Sequence, residues 1–266
     1  MHDLRVSIVQ GETRWHDPAG NREYYGHLIA PLRGVTDLVV LPETFTSGFS
    51  NDAIAQAETM DGPTVAWLRE QAARLGAAIT GSVQLRVGDA VFNRMLFVTP
   101  DGTLVHYDKR HLFSFAREHE RYAPGRERVV VDWQGWRILL QVCYDLRFPV
   151  FSRNRFDPAR TSQADYDLAL YVANWPAVRS YPWKTLLRAR AIENLCYVVG
   201  VNRVGTDGNG LQYAGDSAVI DFLGHPVSEC TDEEVVVTTT LQAAELLAHR
   251  QRFPALQDAD RFHLDD

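Results

Sequence analysis

Residues 136–150 read WRILLQVCYDLRFPV. The first seven form an apolar run with the pattern of a buried strand. It stops at a thiol, Cys143, and Tyr144, Asp145 and Arg147 follow at once. In open α/β sheets, ligands bind just beyond the carboxyl ends of the strands. A cysteine where a buried strand opens into polar chain is therefore placed for chemistry. Upstream, VVVDWQG (129–135) supplies a partner strand, with a turn near Gln134 and Gly135.

The same kind of segment recurs outward in both directions. LRVSIVQ (4–10), DLVVLPE (37–43), DLALYVAN (167–174) and CYVVGVNRV (196–204) are near-continuous apolar runs, the mark of strands buried on both faces. AAITGSVQL (77–85) and AVFNRMLFVTP (90–100) flank Gly88 and Asp89 as a hairpin would. GTLVHYDK (102–109), SAVIDFLGHPVSE (217–229) and EEVVVTTTL (233–241) complete the strand series. Between them lie helical patterns. Asp17 and Pro18 offer an N-cap and a first-turn proline for a helix reaching about Arg33. GPTVAWLREQAARLG (62–76) has apolar residues at helical spacing and ends on glycine. SYPWKTLLRARAIENL (180–195) is a further helix, and a last one starts near Gln242. Alternating strands and helices, with several strands lacking a polar face, predict an α/β sandwich with sheets inside and helices outside. No internal repeat of fixed period appears.

The chain has 266 residues, 45% of them apolar, enough for a sizeable core. No linker, charge block or low-complexity run divides it, so a single domain over 1–266 is expected. The formal charge is −7 and no basic stripe is present, which argues against a nucleic-acid partner. MHDLRVSIVQ has no signal-peptide layout. No apolar run approaches the ~18 residues of a membrane span. Three widely spaced cysteines make no disulfide framework. A cytoplasmic setting is expected.

Three reactive residues end three strands: Glu43 after DLVVLPE, Lys109 after TLVHYDK and Cys143 after WRILLQV. Each alone has a plain reading: a solvated carboxylate, a surface charge, a small buried hydrophobe. Together they suit acyl transfer. A thiol needs a base to become a thiolate, and a lysine can lower its pKa and stabilise an oxyanion. Nine histidines are scattered without metal-ligand spacing, so no metal is expected. A Cys143–His111 pair is an alternative that leaves Glu43 and Lys109 unexplained. Cys196 reads as core, Cys230 as an incidental residue in a charged turn, and GTDGNG (205–210) as a turn.

LPETFTSGF (41–49), YDKRHLF (107–113) and VCYDLRFP (142–149), in that order, resemble the three signature blocks of the nitrilase superfamily of carbon–nitrogen hydrolases. The resemblance continues through LALYVANWP (168–176) and LLRARAIENLCYVVGVNRVG (186–205) to GDSAVIDFLG (215–224), and it is nearest to the omega-amidase branch. It implies a four-layer αββα fold, dimerised through helices. It implies Glu43 as general base, Lys109 as oxyanion stabiliser and Cys143 as nucleophile. A second glutamate is implied in AREHERYAPG (116–125): Glu118 by its offset from Pro124 and Gly125, with Glu120 as the alternative. Tyr144, through its backbone N–H, Arg147, through a guanidinium suited to a carboxylate, and Trp175 make the expected substrate-binding set. The implied reaction is hydrolysis of the terminal amide of a 2-oxo dicarboxylic acid monoamide, such as 2-oxoglutaramate or 2-oxosuccinamate, with no cofactor. Another amidase or N-carbamoyl hydrolase of the superfamily, or a non-catalytic binding protein on this fold, is the alternative. For Arg147 the competing role is a structural ion pair, with Asp145 the candidate partner.

Overall fold

The structure, a computed structural model, describes residues 1–160 and 162–264. Five strands open the first sheet: β1 (Leu4–Gln10), β2 (Leu38–Val40), β3 (Ala78–Val87), β4 (Ala90–Val98) and β5 (Leu104–Asp108). The second sheet contains β6 (Val130–Trp133), β7 (Trp136–Val142), β8 (Leu168–Ala173) and β9 (Tyr197–Asn202). A two-stranded ribbon follows, β10 (Val204–Thr206) with β11 (Gln212–Ala214). β12 (Ala218–Ile220) and β13 (Pro226–Glu229) return to the second sheet, and β14 (Val235–Leu241) closes the first. The spatial orders are β14-β1-β2-β3-β4-β5 and β13-β12-β9-β8-β7-β6.

Each sheet has three parallel strands at its centre, β1–β2–β3 in one and β7–β8–β9 in the other. The helices are α1 (Pro18–Ile29), α2 (Pro63–Leu75), the short α3 (Pro149–Ser152), α4 (Ser180–Asn194) and α5 (Ala243–Arg252).

The apolar runs become intelligible once the layers are counted. Successive strand side chains point to opposite faces. Val6, Ile8, Leu38 and Val40 of the first sheet meet Ile138, Leu140, Val142, Leu170 and Val199 of the second in a shared interior. Their neighbours Val9, Val39, Leu41 and Ile79 face outward onto Tyr25 and Ile29 of α1 and Val65, Leu68 and Ala72 of α2. On the other side Leu139, Ala169, Tyr171 and Val198 pack on Trp183, Leu187 and Ala191 of α4. The layers run α, β, β, α, as expected.

The helix ends follow local chemistry. Asp17 accepts the Gly20 N–H at 2.9 Å to start α1. The helix stops at Ile29 and tightens into a 3₁₀ turn over Ala30–Leu32, short of Arg33, because Pro31 has no N–H to continue the α ladder. Gly76, at φ +68°, caps α2. The run 196–204 is not one strand: β9 ends at Asn202 and β10 starts a separate ribbon. Of GTDGNG, Gly205 and Thr206 belong to β10, and only residues 207–210 lie in the turn of that ribbon, where Asp207 accepts the N–H groups of Asn209 and Leu211.

Cys196 is core, as expected. Cys230 corrects its reading. It is buried at the edge of the inter-sheet core, and its N–H donates to the Ser217 carbonyl at 2.8 Å.

Candidate active site

β4 runs back along β3 and β5 returns along β4, so β5 ends at the same edge of its sheet as β2. The register Arg94↔Asp108 is extended one residue by the Lys109 N–H donating to the Asn93 carbonyl at 3.0 Å. Asn93 and Lys109 thereby lie side by side, and both reach Glu43. The Lys109 ammonium donates to Glu43 Oε1 at 3.0 Å and to both oxygens of Glu118 at 3.0 and 2.9 Å. Asn93 Nδ2 donates to Glu43 Oε1 at 2.8 Å. All three charged residues are at most 1% exposed. Glu120, by contrast, is exposed and pairs with Arg117.

This cluster is held from the second sheet as well. Just past β8, the Asn174 N–H donates to Glu43 Oε2 at 2.7 Å, and its side-chain amide donates to the Glu43 carbonyl at 2.7 Å. The chain leaves Glu43 through Thr44 at φ +43°, a conformation that branched residues rarely adopt. Glu118 is fixed by the Phe113 N–H, which donates to its Oε2 at 2.6 Å.

Charge balance sets the proton affinities. Burial opposes the Lys109 charge, yet Glu118 and then Glu43 overcome it and hold the ammonium's pKa well above the usual lysine value. Burial raises the Glu118 pKa; Lys109 works against that rise and Glu43 adds to it. Burial and then Glu43 push the Cys143 thiol well above the ordinary value, with Lys109 pulling the other way.

Cys143 follows β7 directly, at φ +47°. It begins a 3₁₀ turn, Cys143–Arg147, that swings the chain away from the sheet. Asp145, fully buried, braces this elbow. Its Oδ2 accepts from the Val142 N–H (2.9 Å) and the Tyr107 hydroxyl (2.7 Å). Its Oδ1 accepts from the His111 N–H (3.0 Å) and lies 2.7 Å from His111 Nδ1. His111 is thus engaged with Asp145 and stacked on Phe148. Asp145 has its oxygens occupied without Arg147, whose guanidinium sits 5.0 Å over the Trp175 ring.

Glu43, Lys109, Cys143, Tyr144, Arg147 and Trp175 all line one cleft, whose open space, mouth included, is about 510 Å³. Cys143 keeps partial solvent access through it.

A carbon–nitrogen hydrolase family model matches residues 5–251. The chain belongs to the carbon–nitrogen hydrolase family. Omega-amidase YafV of Yersinia enterocolitica is 47% identical over 265 residues, 99% of this chain and 100% of that protein. The 2-oxoglutaramate amidase of Bacillus subtilis is 30% identical over 95% of this chain and 96% of its own. XC1258 from Xanthomonas campestris, a CN-hydrolase superfamily protein whose crystal structure carries an arsenic adduct in the active site, is 71% identical. It aligns over 100% of both chains with a TM-score of 0.98.

The cleft of this carbon–nitrogen hydrolase also contains residues that sequence reasoning missed. Asn93 and Asn174 hold Glu43. A polar residue inside the apolar β4, and another at the carboxyl end of β8, were the signals available. Phe49, Phe113, Arg179, Leu211 and Tyr213 complete the walls. The ribbon turn brings Leu211 and Tyr213 there, and no local pattern announces that approach. Among the described residues no three His, Cys, Asp or Glu side chains gather as a metal-ligand group, and no helix is long and apolar enough to cross a membrane.

Proposed function

We propose that this carbon–nitrogen hydrolase is an omega-amidase. It converts the terminal amide of a 2-oxo dicarboxylic acid monoamide, such as 2-oxoglutaramate or 2-oxosuccinamate, to the dicarboxylate and ammonia. The observation that carries the reading is the buried Lys109 ammonium shared by Glu43 and Glu118, in a cleft that also opens on Cys143. The names of the relatives, an omega-amidase and a 2-oxoglutaramate amidase, support the substrate class.

The cycle runs through groups gathered at one cleft. Glu43 takes the thiol proton and the Cys143 sulfur attacks the amide carbon. The Lys109 ammonium and the Tyr144 N–H hold the oxyanion. The carbon–nitrogen bond breaks as Glu43 returns the proton to the leaving ammonia, and a thioester remains. Water then loses a proton to Glu43 and attacks the thioester. The thiolate leaves, and Glu43 reprotonates it. Glu118 fixes Lys109 throughout and positions the water. Arg147 pairs with the substrate carboxylate, and Trp175 supports Arg147. The enzyme works as a homodimer in the cytoplasm.

A panel that follows ammonia release tests the reading. 2-Oxoglutaramate and 2-oxosuccinamate should exceed neutral aliphatic amides and N-carbamoyl amino acids in kcat/KM. A panel led by an N-carbamoyl amino acid or a neutral amide would assign another activity of the family.

A further inference from the structure

The mouth of the cleft carries a second guanidinium, Arg179, mounted on the same frame as Arg147. Arg147 lies 5.0 Å over the Trp175 ring. The Trp175 indole N–H donates to the Arg179 backbone carbonyl at 2.8 Å. The Arg179 guanidinium lies 5.4 Å over the Phe113 ring, and the Phe113 N–H holds Glu118. One chain of contacts thus runs from Arg147 through Trp175, Arg179 and Phe113 to the buried carboxylates.

Both arginines line the cleft. Among the described residues neither has a carboxylate partner, although acidic side chains outnumber basic ones, 34 to 27. Glu43, the carboxylate lining the cleft, and Glu118, buried beyond Lys109, are both engaged by Lys109. An aromatic ring under a guanidinium occupies its face and leaves its N–H edge free for a planar anion. Two like charges in one cleft repel, and a bound anion between them removes that cost.

We propose that Arg179 is a substrate-reading residue that closes with Arg147 on a single carboxylate, the one at the far end of the substrate from the scissile amide. This rests on the omega-amidase reading. A carboxylate offers about four lone-pair sites on two oxygens, enough for a guanidinium on either side. One arginine fixes where the charge sits; two fix its plane, and with it the direction in which the chain runs toward Cys143.

The test compares 2-oxoglutaramate with butyramide, a neutral amide, in wild type, Arg179→Gln, Arg179→Lys, Arg147→Gln and the Gln double variant. The Trp175 bond goes to the backbone of residue 179, so the substitutions leave it in place. Arg179→Gln should lower kcat/KM for 2-oxoglutaramate roughly tenfold to a hundredfold, and for butyramide by no more than about twofold. Arg179→Lys should recover part of the loss, since it keeps charge and lacks the fork. The double variant should lose less than the product of the single losses, because both arginines read one group. Equal proportional losses on both substrates, with wild-type preference for the anion intact, would make Arg179 a brace and leave the omega-amidase reading standing. A double variant that multiplied the single losses would overturn the shared clamp. Wild type with no preference for the charged amide would overturn the clamp and the omega-amidase reading together.

Discussion

The Cys143 thiol lies between opposing fields. Burial and the Glu43 carboxylate disfavour its ionisation, Lys109 favours it, and the balance leaves the pKa raised. The resting nucleophile is therefore a thiol, and attack requires proton transfer rather than a standing thiolate. Cys143→Ala should abolish turnover, and Cys143→Ser should be nearly inactive because an alcohol is far harder to ionise. Intact mass after brief mixing with substrate should show an acyl adduct on wild type; appreciable turnover in the Ala variant would remove Cys143 from the mechanism. Glu43→Gln separates acidity from catalysis. Removing the negative charge lowers the thiol pKa, so the pH midpoint for alkylation of Cys143 should move down. Turnover should nonetheless fall ~10²–10⁴-fold, the usual cost of losing a general base. A variant whose alkylation midpoint stayed put would show that Glu43 does not act on the thiol electrostatically.

The elbow after β7 is the element on which the site depends. A positive φ at a non-glycine residue costs about 1–3 kcal/mol and persists only where the surroundings over-determine it. Here Asp145 supplies that determination, accepting from the Val142 N–H three positions before it, at the end of β7, and from Tyr107 and His111 across the sheets' edge. Asp145→Asn puts an amide NH₂ among these donors and leaves at least one unsatisfied, a cost of about 1–3 kcal/mol. The melting temperature should drop and kcat and kcat/KM should both fall, since the elbow aims Cys143 and also carries Tyr144 and Arg147. Unchanged kcat in a variant with a lowered melting temperature would limit Asp145 to folding. This element also marks how far the sequence could be read. The apolar run that stops at Cys143 announces a strand end, and so do the runs before Glu43 and Asn174, because burial on both faces removes all polar alternation. The left-handed turn at Cys143 had no such announcement, since cysteine carries no preference for that region. Glu118 was separable from Glu120 only by the family resemblance; two carboxylates two residues apart look alike until one is buried against Lys109. Arg179 and Tyr213 reach the cleft through tertiary approach, which no local periodicity records.

The cleft exists only where the two sheets meet. Glu43 and Lys109 come from the first, Cys143 and Asn174 from the second, so separating the sheets would dismantle the charge cluster along with the core. On the proposal that the chain is one domain, thermal unfolding and loss of activity should coincide in a single transition. The outer faces differ in how well they are covered. Around α3 and α4, Val150, Tyr181 and Ile192 are each more than half exposed, on the helices that follow the nucleophile strand. Tyr181 and Ile192 stand about three turns apart on α4 and so share its outer face; exposed apolar side chains there are expected to meet a partner surface, and for copies of one chain the commonest closed solution is a two-fold dimer. Light scattering at micromolar concentration should give twice the 30.1 kDa of a single chain. Ile192→Asp, which places a charge on that face without touching the cleft, should shift the equilibrium toward monomer as protein concentration falls. A wild-type mass near that of one chain, or an Ile192→Asp variant as dimeric as wild type at every concentration, would put the partner surface elsewhere or remove it.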